Sequence, residues 1–391
     1  MSIRIPPQVV DIPWRNNNFS LMSRDPPLSD QGETIIGVYL LILGWLSWFG
    51  NSVVIFVLFR QRFSLQPSDY LTLNLAISDA SISVFGYSRG IIEIFNVFQD
   101  SGFLITSVWT CQVDGFCTLL FGLGSINTLT VISITRYIKG CHPSKAHCIT
   151  NTTVAMGVMF IWMGACFWSA APLLGWGSYT DRGYGTCEID WAKANYSTIH
   201  KSYIISILIF CFFIPVMVML FSYVSIIKTV KRGNAMASEG DISDRQRKIE
   251  RDVTIVSIVI CTAFILAWSP YAVVSMWSAW GFHVPSLTSI FTRLFAKSAS
   301  FYNPLIYFGL SAKFRKDVGV LLPCAGGGGE GKDSVKLKRF KNLKAPYPTP
   351  SPDSGVGSTP RTPPQAPEED PPVFVIDFPH SESPGYEIDR L

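Results

Sequence analysis

Seven stretches of this chain are apolar over a length that can cross a bilayer: residues 35–59, 70–95, 109–138, 150–174, 202–228, 253–280 and 287–310. Each is close to or above the roughly 20 residues a helix needs to span about 30 Å of hydrocarbon. No water reaches that depth, so every backbone N–H and C=O must be paired within the segment, and an isolated run can do this only as a helix. The chain is therefore expected to be an all-α membrane protein, a seven-helix bundle. Its 391 residues are 48% hydrophobic and 15% charged, against about 25% charged in soluble domains. The net charge of +4 is not gathered into a nucleic-acid-binding face, and no nucleic-acid partner is expected.

Orientation follows from the short connections. Arg60, Arg62, Arg136, Lys139, Lys145, Lys228, Lys231, Arg251, Lys313 and Arg315 fall on one side, and few basic residues fall on the other. Basic loops stay cytoplasmic. With seven spans, the N-terminus is then outside and the C-terminus inside. No cleavable leader is apparent in residues 1–30, so the first span is expected to direct insertion. Residues 1–34 read as an outer tail and 35–325 as the seven-span domain with a short amphipathic juxtamembrane helix. Residues 326–391, rich in Gly, Pro, Ser and Thr, read as a disordered cytoplasmic tail. Of the nine cysteines, Cys111 and Cys187 fall on the outer, oxidising side and are expected to be bridged. The sequons at Asn18 and Asn195 are candidate glycosylation sites. Cys324, just past the last span, is a candidate for palmitoylation.

Ionisable residues inside spans are costly and by default functional. Asp79 lies mid-span in NLAISDA, with Asn51 and Asn303 as polar residues in other spans able to share its network. Arg136 lies 25 residues beyond Cys111, about 37 Å along a helix at ~1.5 Å per residue. It therefore sits at the cytoplasmic end, where Glu250 is a possible partner. Asp114 lies one turn inside Cys111, and Asp181 and Glu188 flank Cys187.

Lys297 is the least expected charge. It sits in FAKSASFYNPLIYF, six residues before Asn303, in the outer half of the last span. An ammonium there would cost at least ~2.5–3.5 kcal/mol. Desolvation favours a neutral amine, which is a nucleophile able to form a Schiff base with an aldehyde. An ion pair with Asp114 is the other reading.

FGNSVV around Asn51, NLAISD at Asp79, Cys111, TRY at 135–137, Trp162, Pro215 with Tyr223, AWSPY at 267–271 and NPLIY at 303–307 resemble the rhodopsin-like receptors. Lys297, six residues before NPLIY, narrows the resemblance to the opsins, and AVVSMWSAWG at 272–281 looks most like the neuropsin (opsin-5-like) group. The resemblance implies retinal, 11-cis or all-trans, held on Lys297 as a Schiff base. Trp268, Tyr271 and Gly122 would line its pocket, near Glu188. Either Asp181 or Asp114 would serve as counterion, with Asp181 the first choice. Arg136, Tyr223, Asn303, Tyr307, Glu250 and Asp79 would form the activation switch. It further implies a light-activated, non-enzymatic receptor of the plasma membrane. Its partners would be a heterotrimeric G protein, Gi-class, and a receptor kinase and arrestin acting through the tail. A retinal photoisomerase with little coupling is the alternative. Two departures stand out. Thr135 replaces the acid that usually precedes the arginine. In the second span Tyr87 follows Gly86 where neuropsins tend to carry lysine, and Arg89 lies two residues on, spaced to pair with Glu93.

Overall fold

The computed structural model describes residues 28–95, 107–184, 186–234 and 241–321, the side chains of 232–250, 313 and 321 excepted. Asn18, Cys324 and the expected tail at 326–391 lie outside these residues.

The first four spans are helices α1 (Asp30–Arg60), α2 (Pro67–Phe95), α3 (Val108–Cys141) and α4 (Asn151–Ala170). The fifth is α5 (Thr198–Leu208), a π turn (Ile209–Phe213) and α6 (Ile214–Asn234); the sixth is α7 (Asp241–Ala279). The seventh is α8 (Ser286–Lys297) followed by α9 (Ala299–Leu310), and α10 (Ala312–Leu321) follows it. Five of the seven spans are long and apolar enough to cross a membrane on length and composition alone. The second carries Asp79, Arg89 and Glu93, and the seventh is interrupted at Ser298.

That interruption departs from the single helix expected over 287–310, and side chains from other spans explain it. The Phe301 N–H bonds to Ser298 O (3.0 Å) instead of reaching Lys297 O. The Lys297 carbonyl accepts from Tyr87 Oη (2.8 Å) and Ser300 Oγ (3.1 Å). Pro304 has no N–H to offer the Ser300 carbonyl four residues earlier, and Asn51 Nδ2 takes that acceptor at 2.9 Å. The π turn of the fifth span ends just before Pro215, which likewise leaves the Cys211 carbonyl without its helical donor.

Polar contacts fasten the bundle where lipid gives no hydrophobic drive between helices. Trp162 Nε1 donates to Asn74 Oδ1 (2.9 Å) and Asn74 Nδ2 to Thr128 Oγ1 (2.8 Å), joining spans four, two and three. Ser83 donates to Ser47 (2.6 Å) and Ser47 to Ser300 (3.0 Å), joining spans two, one and seven. Beyond the seventh span, Phe314 of α10 packs on Tyr307 and Phe308, and Arg315 donates to the Phe308 and Gly309 carbonyls. This is the amphipathic helix expected after the last span.

The connection between the fourth and fifth spans holds structure that sequence patterning did not suggest. Strands β1 (Tyr179–Asp181) and β2 (Cys187–Ile189) pair antiparallel, with Asp181 opposite Cys187 and Thr180 opposite Glu188. The Cys111–Cys187 disulfide, Cα atoms 5.4 Å apart, ties this hairpin to the start of α3. Tyr179 Oη donates to Ser169 O (2.8 Å), and burial pushes the hydroxyl above its ordinary titration range, so it stays a donor. Tyr184, at φ +51°, packs toward α1 and α2 and accepts from the Leu28 N–H at 2.7 Å.

Candidate functional site

Beneath the hairpin lies a cavity of about 150 Å³. α3 supplies Gly115, Thr118, Leu119, Gly122, Leu123 and Ile126 to its wall. The hairpin and the segment after it add Tyr179, Glu188, Ile189 and Trp191, and the fifth span adds Ile207, Leu208, Cys211 and Phe212. The π turn brings Cys211 and Phe212 to this wall. The sixth span contributes Phe264, Trp268 and Tyr271, and the seventh Arg293, Ala296 and Lys297. Trp268 stacks on Phe264 (centroids 5.7 Å apart) and meets Tyr271 edge-on (5.9 Å). An alanine Cβ at Gly122 would lie 3.7 Å from the Trp268 ring, an ordinary contact. The tight approach is Gly115, where a Cβ would come within 2.6 Å of the Tyr179 ring.

Lys297 Nζ donates to the Gly86 carbonyl at 2.6 Å. Arg293, one turn earlier on the same helix, lines the cavity with it. The three acids named from sequence are held differently. Asp181 gives both oxygens away: Oδ2 accepts from Arg89 Nη2 (3.1 Å) and Oδ1 from the Gly183 N–H (2.9 Å). Glu188 Oε2 accepts from Tyr271 Oη (2.6 Å), and Oε1 faces Arg293 and Arg182, each at 3.4 Å. Trp191 Nε1 donates in turn to Tyr271 Oη (3.1 Å). Asp114, near the start of α3, lines a separate recess with Arg89 and Thr110. Lys297, Trp268, Tyr271, Gly122 and Glu188 thus share the cavity wall. Asp181 is turned to Arg89, and Asp114 lies outside that wall, in a neighbouring recess shared with Arg89 and Thr110.

Sequence reasoning missed Arg293. It lies four residues before Lys297, so both project from one helix face, and both line the cavity. That spacing was the available signal. Arg89 was expected to be spaced for Glu93; the structure also gives it Asp181, 92 residues away in sequence.

Toward the opposite end, Asp79, 2% exposed, accepts from Ser125 Oγ (2.7 Å) and Asn303 Nδ2 (2.6 Å). Asn51 bonds Ser47 and Ser300 rather than Asp79. Further along, Arg136, Tyr307, Thr135 and Ser257 line a second cavity of about 50 Å³. Arg136 acts electrostatically on both Tyr223 and Tyr307, while Tyr223 Oη contacts Cys261 Sγ at 3.3 Å. Thr135 bonds Ile132 O within its own helix. Glu250 belongs to α7, but its side chain lies outside the described residues. Asn195 is exposed, as a sequon must be, and its Nδ2 donates to Ala192 O (3.0 Å) and Ser278 O (3.1 Å).

A lysine at the end of an aromatic cavity inside a helical bundle invites comparison with known proteins. Residues 50–307 match the family described as 7 transmembrane receptor (rhodopsin family). The chain is 37% identical to opsin-5 of Homo sapiens over 291 residues, covering 73% of this chain and 81% of that one. The chain is an opsin of the rhodopsin family of seven-transmembrane receptors. This opsin is also similar to the visual pigment-like receptor peropsin of Homo sapiens, at 29% identity over 79% of this chain and 90% of that one. Its fold is shared with squid rhodopsin, at a TM-score of 0.68 and 27% identity over 77% of this chain and 84% of that one. The opsin-5-like resemblance read from residues 272–281 agrees with the match to opsin-5.

Proposed function

We propose that this opsin is a light-activated receptor of the plasma membrane that carries retinal as a Schiff base on Lys297 and activates a heterotrimeric G protein, most simply of the Gi class. The observation that carries this reading is that Lys297 lines an aromatic cavity together with Trp268 and Tyr271. The lining fits a polyene: it is apolar and aromatic, and its charged groups gather at the lysine end. When bound, retinal supplies photoisomerisation from 11-cis to all-trans.

The chain's own residues do the rest. The hairpin, fastened by Cys111–Cys187, excludes water from the amine. Asp114 balances positive charge on the Lys297 nitrogen, because Arg89 already neutralises Asp181. This reverses the order suggested by sequence. Trp268 and Tyr271 couple the cavity to the sixth span, and Pro270 between them gives that span a point about which to bend. Asp79 and Asn303 join the second and seventh spans below the cavity. Arg136 and Tyr307 line the small inner cavity, where an outward shift of the sixth span would open a G-protein surface.

The test is to express the protein with 11-cis-retinal and record absorbance together with light-dependent nucleotide exchange on Gi, Go, Gq and Gs proteins. A band absent from Lys297→Met, with exchange on Gi, is expected. No band overturns the proposal. A photoactive band without exchange on any G protein leaves the photoisomerase in its place.

A further inference from the structure

The third span holds five threonines, and four of them turn their hydroxyls back onto their own helix. Thr110, Thr128, Thr130 and Thr135 donate to the carbonyls of Ser107, Gly124, Ile126 and Ile132 at 2.9, 2.6, 2.8 and 2.8 Å. This is the ordinary habit of a helical threonine, whose Oγ1 reaches the carbonyl three or four residues earlier. Thr118 departs from it. Its Oγ1 is buried and meets no protein donor or acceptor, and the residue lines the cavity. The side chain is turned across to α2, where Oγ1 lies 3.5 Å and the methyl 3.6 Å from the point that a Cβ on Gly86 would occupy.

The Gly86 carbonyl accepts from the Lys297 amine at 2.6 Å. The amine and the Thr118 hydroxyl thus meet the same residue of the second span. Neighbouring hydroxyls are engaged elsewhere: Tyr87 on the Lys297 carbonyl, Tyr179 on Ser169 O and Tyr271 on Glu188. A buried hydroxyl with no partner is costly, so this place favours a small polar guest.

The chemistry of an amine and an aldehyde supplies one. The amine nitrogen bonds the carbonyl carbon, and the carbonyl oxygen leaves with the two amine hydrogens as water. Hydrolysis runs the same atoms back. The cavity lies beneath the hairpin, away from bulk water, so that single water needs a seat beside the nitrogen. A buried water is held by about three polar partners. Thr118 Oγ1, the second lone pair of the Gly86 carbonyl and the Lys297 nitrogen provide them.

We propose that Thr118 seats the water released when Lys297 condenses with retinal and consumed when that link is hydrolysed. The inference rests on Lys297 being the retinal-bearing residue. The hydroxyl bonds the oxygen as it departs or attacks, so it speeds both directions and leaves the equilibrium between them where it was.

Thr118→Val keeps the shape of the side chain and removes the hydroxyl; Thr118→Ser keeps the hydroxyl and removes the methyl. Because the hydroxyl has no protein partner, Thr118→Val should fold with a thermal midpoint no lower than that of the unmutated protein. Loading is followed as growth of the absorbance band with 11-cis-retinal, and loss as its decay in the dark into lipid vesicles. Thr118→Val is expected to slow both by about two- to tenfold, the worth of one hydrogen bond, with final occupancy unchanged. Thr118→Ala should slow them likewise, and Thr118→Ser should stay within about twofold of the unmutated protein. Ligand-free protein treated with propanal and saturating cyanoborohydride gives a readout without retinal: alkylation of the Lys297 peptide should slow in the same order. Unchanged loading and loss in Thr118→Val, or equal slowing in Thr118→Ser, overturns the role of the hydroxyl and leaves the retinal reading standing. A shift in final occupancy with an unaltered loading rate overturns it as well. No retinal band in the unmutated protein, with propanal alkylation still slowed by Thr118→Val, overturns the retinal reading alone. No band and no slowing overturn both.

Discussion

Arg89 of the second span donates to Asp181 of the hairpin across 3.1 Å, with both side chains less than a tenth exposed. The pair fixes the hairpin to the second span. Asp114, the other candidate counterion, is not part of that pair.

The two acids should therefore separate by experiment. Asp114→Asn is expected to lose the visible band at neutral pH when loaded with retinal, and Asp181→Asn to keep it. Asp181→Asn should instead lower stability by about 1.5–3 kcal/mol, because it removes one charged hydrogen-bond partner of the buried Arg89, which keeps Thr110. Absorbance against pH and the thermal midpoint of the ligand-free protein measure the two effects. A visible band that survives Asp114→Asn and vanishes in Asp181→Asn reverses the assignment.

Asn303 donates to Asp79 at 2.6 Å, so Asn303→Leu removes one of two hydrogen bonds to a carboxylate that is 2% exposed. A loss of about 1.5–3 kcal/mol is expected for a hydrogen bond to a charged group, read as a lower thermal midpoint. Asp79→Asn with Asn303 intact should cost less, since a neutral acceptor replaces the carboxylate.

Gly115 and Gly122 should respond differently to one added methyl. Gly115→Ala forces a Cβ to within 2.6 Å of the Tyr179 ring and so displaces the hairpin. A cost of about 1–3 kcal/mol is expected from overpacking. Gly122→Ala makes only a 3.7 Å contact with Trp268 and should leave stability within about 0.5 kcal/mol. Parallel thermal melts decide this, and equal losses would contradict the packing seen at the hairpin.

Thr135 bonds only its own helix, so the arginine of TRY has no carboxylate at the preceding position. Nucleotide exchange in the dark should be measurable, and Thr135→Glu should reduce it several-fold. Glu250→Gln should raise it. Silence in the dark, unchanged by Glu250→Gln, rules the idea out.

Much of this was legible in sequence for local reasons. Seven apolar runs admit only helices in lipid. Lys297, six residues before Asn303, must lie in the outer half of its span whatever the span packs against. Cys111 and Cys187 were paired by which side of the bilayer they fall on. The break at Ser298 was not legible, since it needs a hydroxyl from Tyr87 and an amide from Asn51, both in other spans. The place of Arg293 on the cavity wall was missed because a charged residue near a span end reads as a flank until helix rotation is known. Glu188 was placed near the pocket from sequence, but not its bonds to Tyr271 and Arg293, which cross 83 and 105 residues of chain.

The sequence by itself determined the bundle, its polar knots and the lysine that distinguishes an opsin, because burial period and spacing along one helix are properties of the chain alone. Only the tertiary structure decided how Asp114, Asp181 and Glu188 divide among the cations. That division depends on distances between side chains from four separate segments, and in a medium that screens charge poorly a few ångströms decide which pair forms.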